Sequence, residues 1–144
     1  MRVTTTRFGE LEVADSEIIT FPRGILGFEA VKQYILLDGS GPFGFLQAIE
    51  EPDLTFIVID PRFIVQEYKV EVPKYEVQEI EIEEPSQAVA LSIVTIPANP
   101  QEMTVNLQAP LLINPSNRRA KQVVLTDHDY NMRHPVFGTV GQSA

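Results

Sequence analysis

The side chains able to do chemistry fall into three groups. In Asp127-His128-Asp129 two carboxylates flank an imidazole. In an extended chain the two aspartates share a face and His128 points the other way, so the three cannot converge on one metal ion. Aspartates near a strand end are turn formers, and the group reads as a solvated turn. His134, between Arg133 and Pro135, reads as a hydrogen-bonded structural histidine or a partner contact. The third group is residues 67–84, EYKVEVPKYEVQEIEIEE, with seven glutamates and two lysines. Within it Glu79, Glu81 and Glu83 alternate with Ile80 and Ile82, the pattern of a strand with carboxylates on one face. Glycoside hydrolysis needs two carboxyl groups facing each other across a cleft. Three on one strand face read instead as a solvated edge that resists aggregation, or as an electrostatic surface for a partner.

Nothing assembles these groups into a catalytic set. The sequence has no GxSxG elbow, no HExxH and no phosphate-cradling loop, and the two histidines have no local context for a triad. The expectation is a protein that is not an enzyme, with no catalytic residue, metal or cofactor. With no cysteine in the chain, disulfides, thiolate nucleophiles and thiolate metal sites are excluded together. The net charge is −9 and uneven: residues 1–117 hold 7 Lys/Arg against 18 Asp/Glu, and residues 118–144 hold 4 against 2. Phosphate backbones need a basic footprint, so direct nucleic-acid binding is disfavoured and a basic protein partner is favoured.

The elements that must position these groups are short. Residues 2–7 and 10–13 form an opening hairpin around Phe8-Gly9, and Ile18–Phe21 is a third strand stopped by Pro22. In FPRGILGF, residues 21–28, two glycines three apart describe a tight loop. Such a GxxG loop can clamp RNA, but here it lacks basic flanks and a following helix. Ile25 and Phe28 are apolar for a loop, which makes it a candidate partner-facing segment. A helical turn at Glu29–Gln33 precedes strands at Tyr34–Leu37, Gly44–Ile49 and Leu54–Ile59, the last apolar enough to be buried on both faces. Residues 63–65 and 68–72 add short strand material, and Ala88–Ile96 is the strongest strand and central. Asn99-Pro100-Gln101-Glu102 starts a short helix that Pro110 stops. Leu111–Asn114 and Gln122–Leu125 flank Pro115-Ser116-Asn117 as a hairpin. The fold class is all-β with one or two short helical turns, a small β-barrel-like or sandwich domain over residues 1–137 and a flexible tail over 138–144. No segment has the apolar length of a membrane span or signal core, so a cytoplasmic protein is expected.

Several ordered segments carry a family resemblance: Phe21-Pro22-Arg23-Gly24-Ile25 with Gly27-Phe28, then Pro52-x-Leu54-x-Phe56 leading to Asp60-Pro61. The most distinctive are Thr104-x-Asn106-Leu107-x-Ala109-Pro110, Ile113-Asn114, Arg118-x-Ala120-x-Gln122-Val123 and Tyr130-x-x-Arg133-His134. Over roughly residues 1–137 the chain resembles the flagellar assembly factor family FliW. That resemblance implies a compact β-barrel-like bacterial protein with two partners, flagellin and the basic translational regulator CsrA. Members bind CsrA and stop it repressing flagellin translation, and free flagellin takes the factor away. Glu79, Glu81 and Glu83 are the expected electrostatic contacts and Ile25 and Phe28 the expected apolar anchors, on a protein that is a monomer when free. Arg118, Arg119 and Arg133 are expected to tie down turns or offset nearby carboxylates. A flagellin chaperone without a regulatory role, and a small carbohydrate-binding β-barrel protein or enzyme, are the alternatives.

Overall fold

The computed structural model describes residues 1–126 and 130–137. The Asp127-His128-Asp129 turn and the tail expected over 138–144 lie outside the described residues. β1 (Arg2–Thr5) and β2 (Gly9–Glu12) form the opening hairpin, with Thr5 paired to Gly9 across the turn. The larger sheet is antiparallel throughout. It contains β3 (Ile19–Thr20), β4 (Gln33–Asp38), β5 (Phe43–Ala48), β6 (Thr55–Ile59), β7 (Val89–Thr95), β8 (Thr104–Val105), β9 (Leu111–Ile113), β10 (Ala120–Gln122) and β11 (His134–Pro135). The order is β10-β9-β7-β6-β5-β4-β3, with β8 on the far half of β7 and β11 on β8. β7 therefore contacts three strands, the central place its β-branched run demands.

The sheet curls but does not close into a barrel. Its ends approach at one parallel bridge, Thr20 to Arg119, where the Thr20 amide donates to the Arg118 carbonyl. β3 is only two residues long because Pro22 follows and removes a donor. The barrel expectation is corrected to an open, curled sheet, and the all-β class stands.

Both faces of the central strands are packed. Phe56 and Val58 of β6 join a cluster with Phe21, Tyr34, Leu46 and Leu111, whereas Ile57 and Ile59 join one with Val94, Val105, Leu107 and Leu112. A third, smaller cluster seats the opening hairpin, through Val3 and Val13, on Ile35 of β4. The apolar run at Leu54–Ile59 is thus a strand buried on both sides.

Four local expectations change. Residues 63–72 hold no strand: Asp60 caps a 3-10 turn over Pro61–Phe63 by accepting the Arg62 amide at 2.9 Å, and the chain then runs irregularly. Residues 29 and 30 form a turn and 31 and 32 run irregularly into β4, with no helical turn. The helix start at Asn99 yields one 3-10 turn, Pro100–Glu102, capped by the Asn99 side chain on the Gln101 amide. The 111–122 hairpin forms, but its second strand is Ala120–Gln122. Arg118 adopts a left-handed φ of 62°, turning the chain back two residues earlier than the apolar run implies.

Candidate functional site

The Glu-rich segment is where sequence pattern and structure differ most. Glu79, Glu81 and Glu83 are not on a strand. Pro73 precedes a five-residue helix, α1 (Lys74–Gln78), and the chain unwinds through Glu79 and a left-handed Glu81 at φ 63°. The Ile80 and Ile82 amides both donate to the Val77 carbonyl, so the turn folds beneath the helix. Val77, Ile80 and Ile82 are buried in the core against Leu112 and Val123. The two isoleucines point inward as alternation implied, but a left-handed residue between them does the re-aiming, not a pleat.

What pins this turn comes from the 111–122 hairpin. The Asn114 side-chain amide donates to the Ile80 carbonyl at 2.8 Å, while its oxygen accepts the Ser116 amide. The Lys121 side chain, only 6% exposed, reaches across with its Nζ 2.7 Å from Glu79 and 3.2 Å from Glu76. Arg23 adds its Nε to the other Glu79 oxygen at 2.6 Å. The Lys121 hydrogen bond, with help from Arg23, holds the Glu79 carboxyl below its ordinary value. Glu81 accepts from Asn117 at 2.8 Å and lies 4.0 Å from Arg119, and Glu84 pairs with Lys74 at 2.9 Å. Glu83 is exposed and carries no ion pair among the described residues. The three expected contacts thus have different jobs: Glu79 is a strut, Glu81 a turn residue, and Glu83 a free surface charge.

The FPRGILGF loop separates its two expected anchors. Ile25 is 1% exposed and belongs to the core with Phe21 and Tyr34, so it is no surface anchor in this conformation. Gly24 makes that possible: at φ 69° it lies so close to Glu29 that a Cβ would come within 2.5 Å of the Glu29 Cα. Phe28 is 43% exposed, with its ring edge-on to Phe56 at 5.3 Å. Its neighbour Leu26, unremarkable in the sequence, is more exposed still.

Of the three arginines, Arg118 ties a turn through its side chain and Arg119 faces Glu81, whereas at Arg133 the tie is made by the backbone amide. Arg118 Nε donates to the Ser16 carbonyl at 3.1 Å, and the Arg133 amide donates to Asn131 Oδ1 at 2.9 Å. His134 lies in β11, paired with Val105. Among the described residues no three His, Asp or Glu side chains are grouped to hold a metal, and no helix is long and apolar enough to cross a membrane. Sequence reasoning missed Lys121, Glu76 and Asn114. A lysine inside an otherwise apolar hairpin requires a carboxylate, and the nearest supply is the Glu-rich segment.

The family model described as FliW protein matches residues 2–136. The flagellar assembly factor FliW of Natranaerobius thermophilus is 42% identical, the match covering 100% of this chain and 97% of that protein. Its counterpart in Geobacter sulfurreducens is 39% identical, with 99% and 91% covered. A crystal structure of the flagellar assembly factor FliW superposes with a TM-score of 0.88 at 31% identity, covering 95% of this chain and 97% of that one. The signature segments are those that build the loops and the clamp: Gly24 under Glu29, Asn106 accepting the Gln108 and Ala109 amides, Asn114 on Ile80, and Tyr130 accepting the Lys69 amide. Fold, length and sequence agree, and the chain belongs to the FliW family.

Proposed function

We propose that this chain is a cytoplasmic flagellar assembly factor that works by protein–protein binding. It binds the basic translational regulator CsrA, relieves repression of flagellin translation, and is drawn off by free flagellin. The observation that carries the reading is the match along nearly the whole chain to relatives named flagellar assembly factor. Charge supports it. A body with 18 acidic against 7 basic side chains in residues 1–117 attracts a basic protein and repels the RNA that protein holds. Screening confines this repulsion to about 8 Å at physiological salt, so the acidic surface acts beside the RNA path rather than at a distance.

The test is competition. CsrA bound to a labelled flagellin leader RNA is titrated with this protein, and flagellin is then added. RNA release by the first addition and recapture after the second are expected; RNA that stays bound at saturating protein would remove CsrA antagonism. Reversing Glu79 with Glu81 and Glu83 is a poor probe, because Glu79 holds Lys121 and its loss disturbs the fold.

A further inference from the structure

A shallow depression of about 570 Å³ lies between the FPRGILGF loop and the turn joining β5 to β6. Phe28, Val31 and Leu54 supply its apolar lining, and Glu29, Glu51 and Asp53 stand around them, all three exposed. Among the described residues no lysine or arginine lines it. Lys32 is the cation felt by Glu29, and its influence on that carboxyl is the smallest of those acting there.

The lining is held in place before anything binds. The Phe28 amide donates to the Ile25 carbonyl at 2.7 Å, and the Val31 amide to the Phe28 carbonyl at 3.1 Å. Glu29 accepts the Gly27 amide at 2.9 Å, which keeps its carboxylate oriented and ionised. On the opposite wall the Leu54 amide donates to the Glu51 carbonyl, and Asp53 accepts the Thr6 hydroxyl. A half-exposed aromatic ring fixed by its own backbone and by Phe56 loses little freedom on binding, the property of an anchor residue.

We infer that this depression docks a basic protein segment, which seats an apolar side chain against Phe28 and Leu54 and sets lysine or arginine side chains against Glu29, Glu51 and Asp53. The inference rests on the basic partner proposed above and supplies its contact surface. The carboxylates only accept hydrogen bonds when ionised, so the occupant must be rich in donors. They also disfavour phosphate-bearing ligands. This surface is distinct from the pinned Glu79–Glu83 turn, whose carboxylates are largely engaged within the chain.

The test is calorimetric titration of the purified full chain with CsrA, using wild type and the variants Phe28→Ser, Glu51→Lys and Glu83→Lys, each melted first to confirm folding. Truncating Phe28 is expected to weaken binding at least about tenfold. Glu51→Lys should weaken it and flatten its salt dependence. Glu83→Lys should stay within about twofold of wild type, since rim charges away from a contact contribute little. Phe28 packs edge-on against Phe56, so Glu51→Lys is the cleaner probe if the serine variant melts early. Wild-type affinity in both Phe28→Ser and Glu51→Lys overturns the assignment of this surface and leaves the proposed function standing. Absence of binding by the wild type overturns both together.

Discussion

Lys121→Met tests how the Glu-rich turn is held to the hairpin. The substitution keeps a stem of similar length and removes the ammonium that sits 2.7 Å from Glu79 and 3.2 Å from Glu76. Hydrogen bonds to charged groups are worth about 1.5–3 kcal/mol each, and orphaning a fully buried charge costs about 3–5 kcal/mol. Here the carboxylates can recover: their side chains are 25% and 36% exposed, and Glu79 retains Arg23. The expected loss is therefore about 2 kcal/mol, which for a chain of this size lowers the melting temperature by roughly 4–8 °C. Urea unfolding at neutral pH and scanning calorimetry measure it. A double-mutant cycle with Glu79→Gln should give a coupling energy of about 1 kcal/mol. A Lys121→Met protein as stable as wild type, or more so, refutes the clamp and leaves the Asn114 and Asn117 hydrogen bonds and the buried Val77, Ile80 and Ile82 as the anchors.

Three further outcomes follow from the same geometry. Because the Glu79 carboxyl is held below its ordinary 4.5 in the folded chain, its contribution is complete above that pH and is lost as pH falls through the folded value. As pH falls below 4.5 wild type should lose stability more steeply than Glu79→Gln, and parallel curves would contradict this. Gly24→Ala meets the Glu29 backbone at 2.5 Å and a φ of 69°, whereas Gly27→Ala at φ 90° meets open space. The first should cost several times the second, which is limited to backbone strain of about 1–2 kcal/mol; equal urea midpoints would show that the close approach is not real. Ile25→Ala should cost about 2–5 kcal/mol and Leu26→Ala under about 0.5 kcal/mol in the same denaturation assay, with the reverse order restoring Ile25 to the surface.

The sheet was readable in the sequence where a strand is long, β-branched and bounded by breakers. β6 and β7 lie within a residue of the apolar runs that announce them, and Asp60-Pro61 and Pro97 end those runs for plain backbone reasons. Residues 79–83 were not readable. Apolar alternation has two physical origins, a pleat or a turn with a left-handed residue at its centre, and Glu81 supplies the second without being glycine or asparagine. That conformation is held by Asn114, Asn117 and Lys121, some thirty to forty-five positions away, so no local window contains its cause. The burial of Ile25 is hidden from the sequence for a similar reason. An apolar residue in a Gly-bounded loop can serve the core or a partner, and only the packing of Gly24 on Glu29 decides between them. Phe28, from the same loop, kept its exposure.

The seam between the sheet's ends has a consequence for biosynthesis. Thr20 meets Arg119, and Arg118 reaches the Ser16 carbonyl 102 residues earlier in the chain. The hairpin that completes this seam also supplies Leu111, Ile113 and Ala120 to the cluster around Phe21 and Tyr34. A nascent chain that has emerged only as far as β7 therefore carries most of its strands but leaves that cluster open and β3 without its far neighbour. Contacts so distant in sequence form late and slowly. That cluster and the seam can close only once β10 has left the ribosome, and until then the apolar faces of the central strands stay open to other chains.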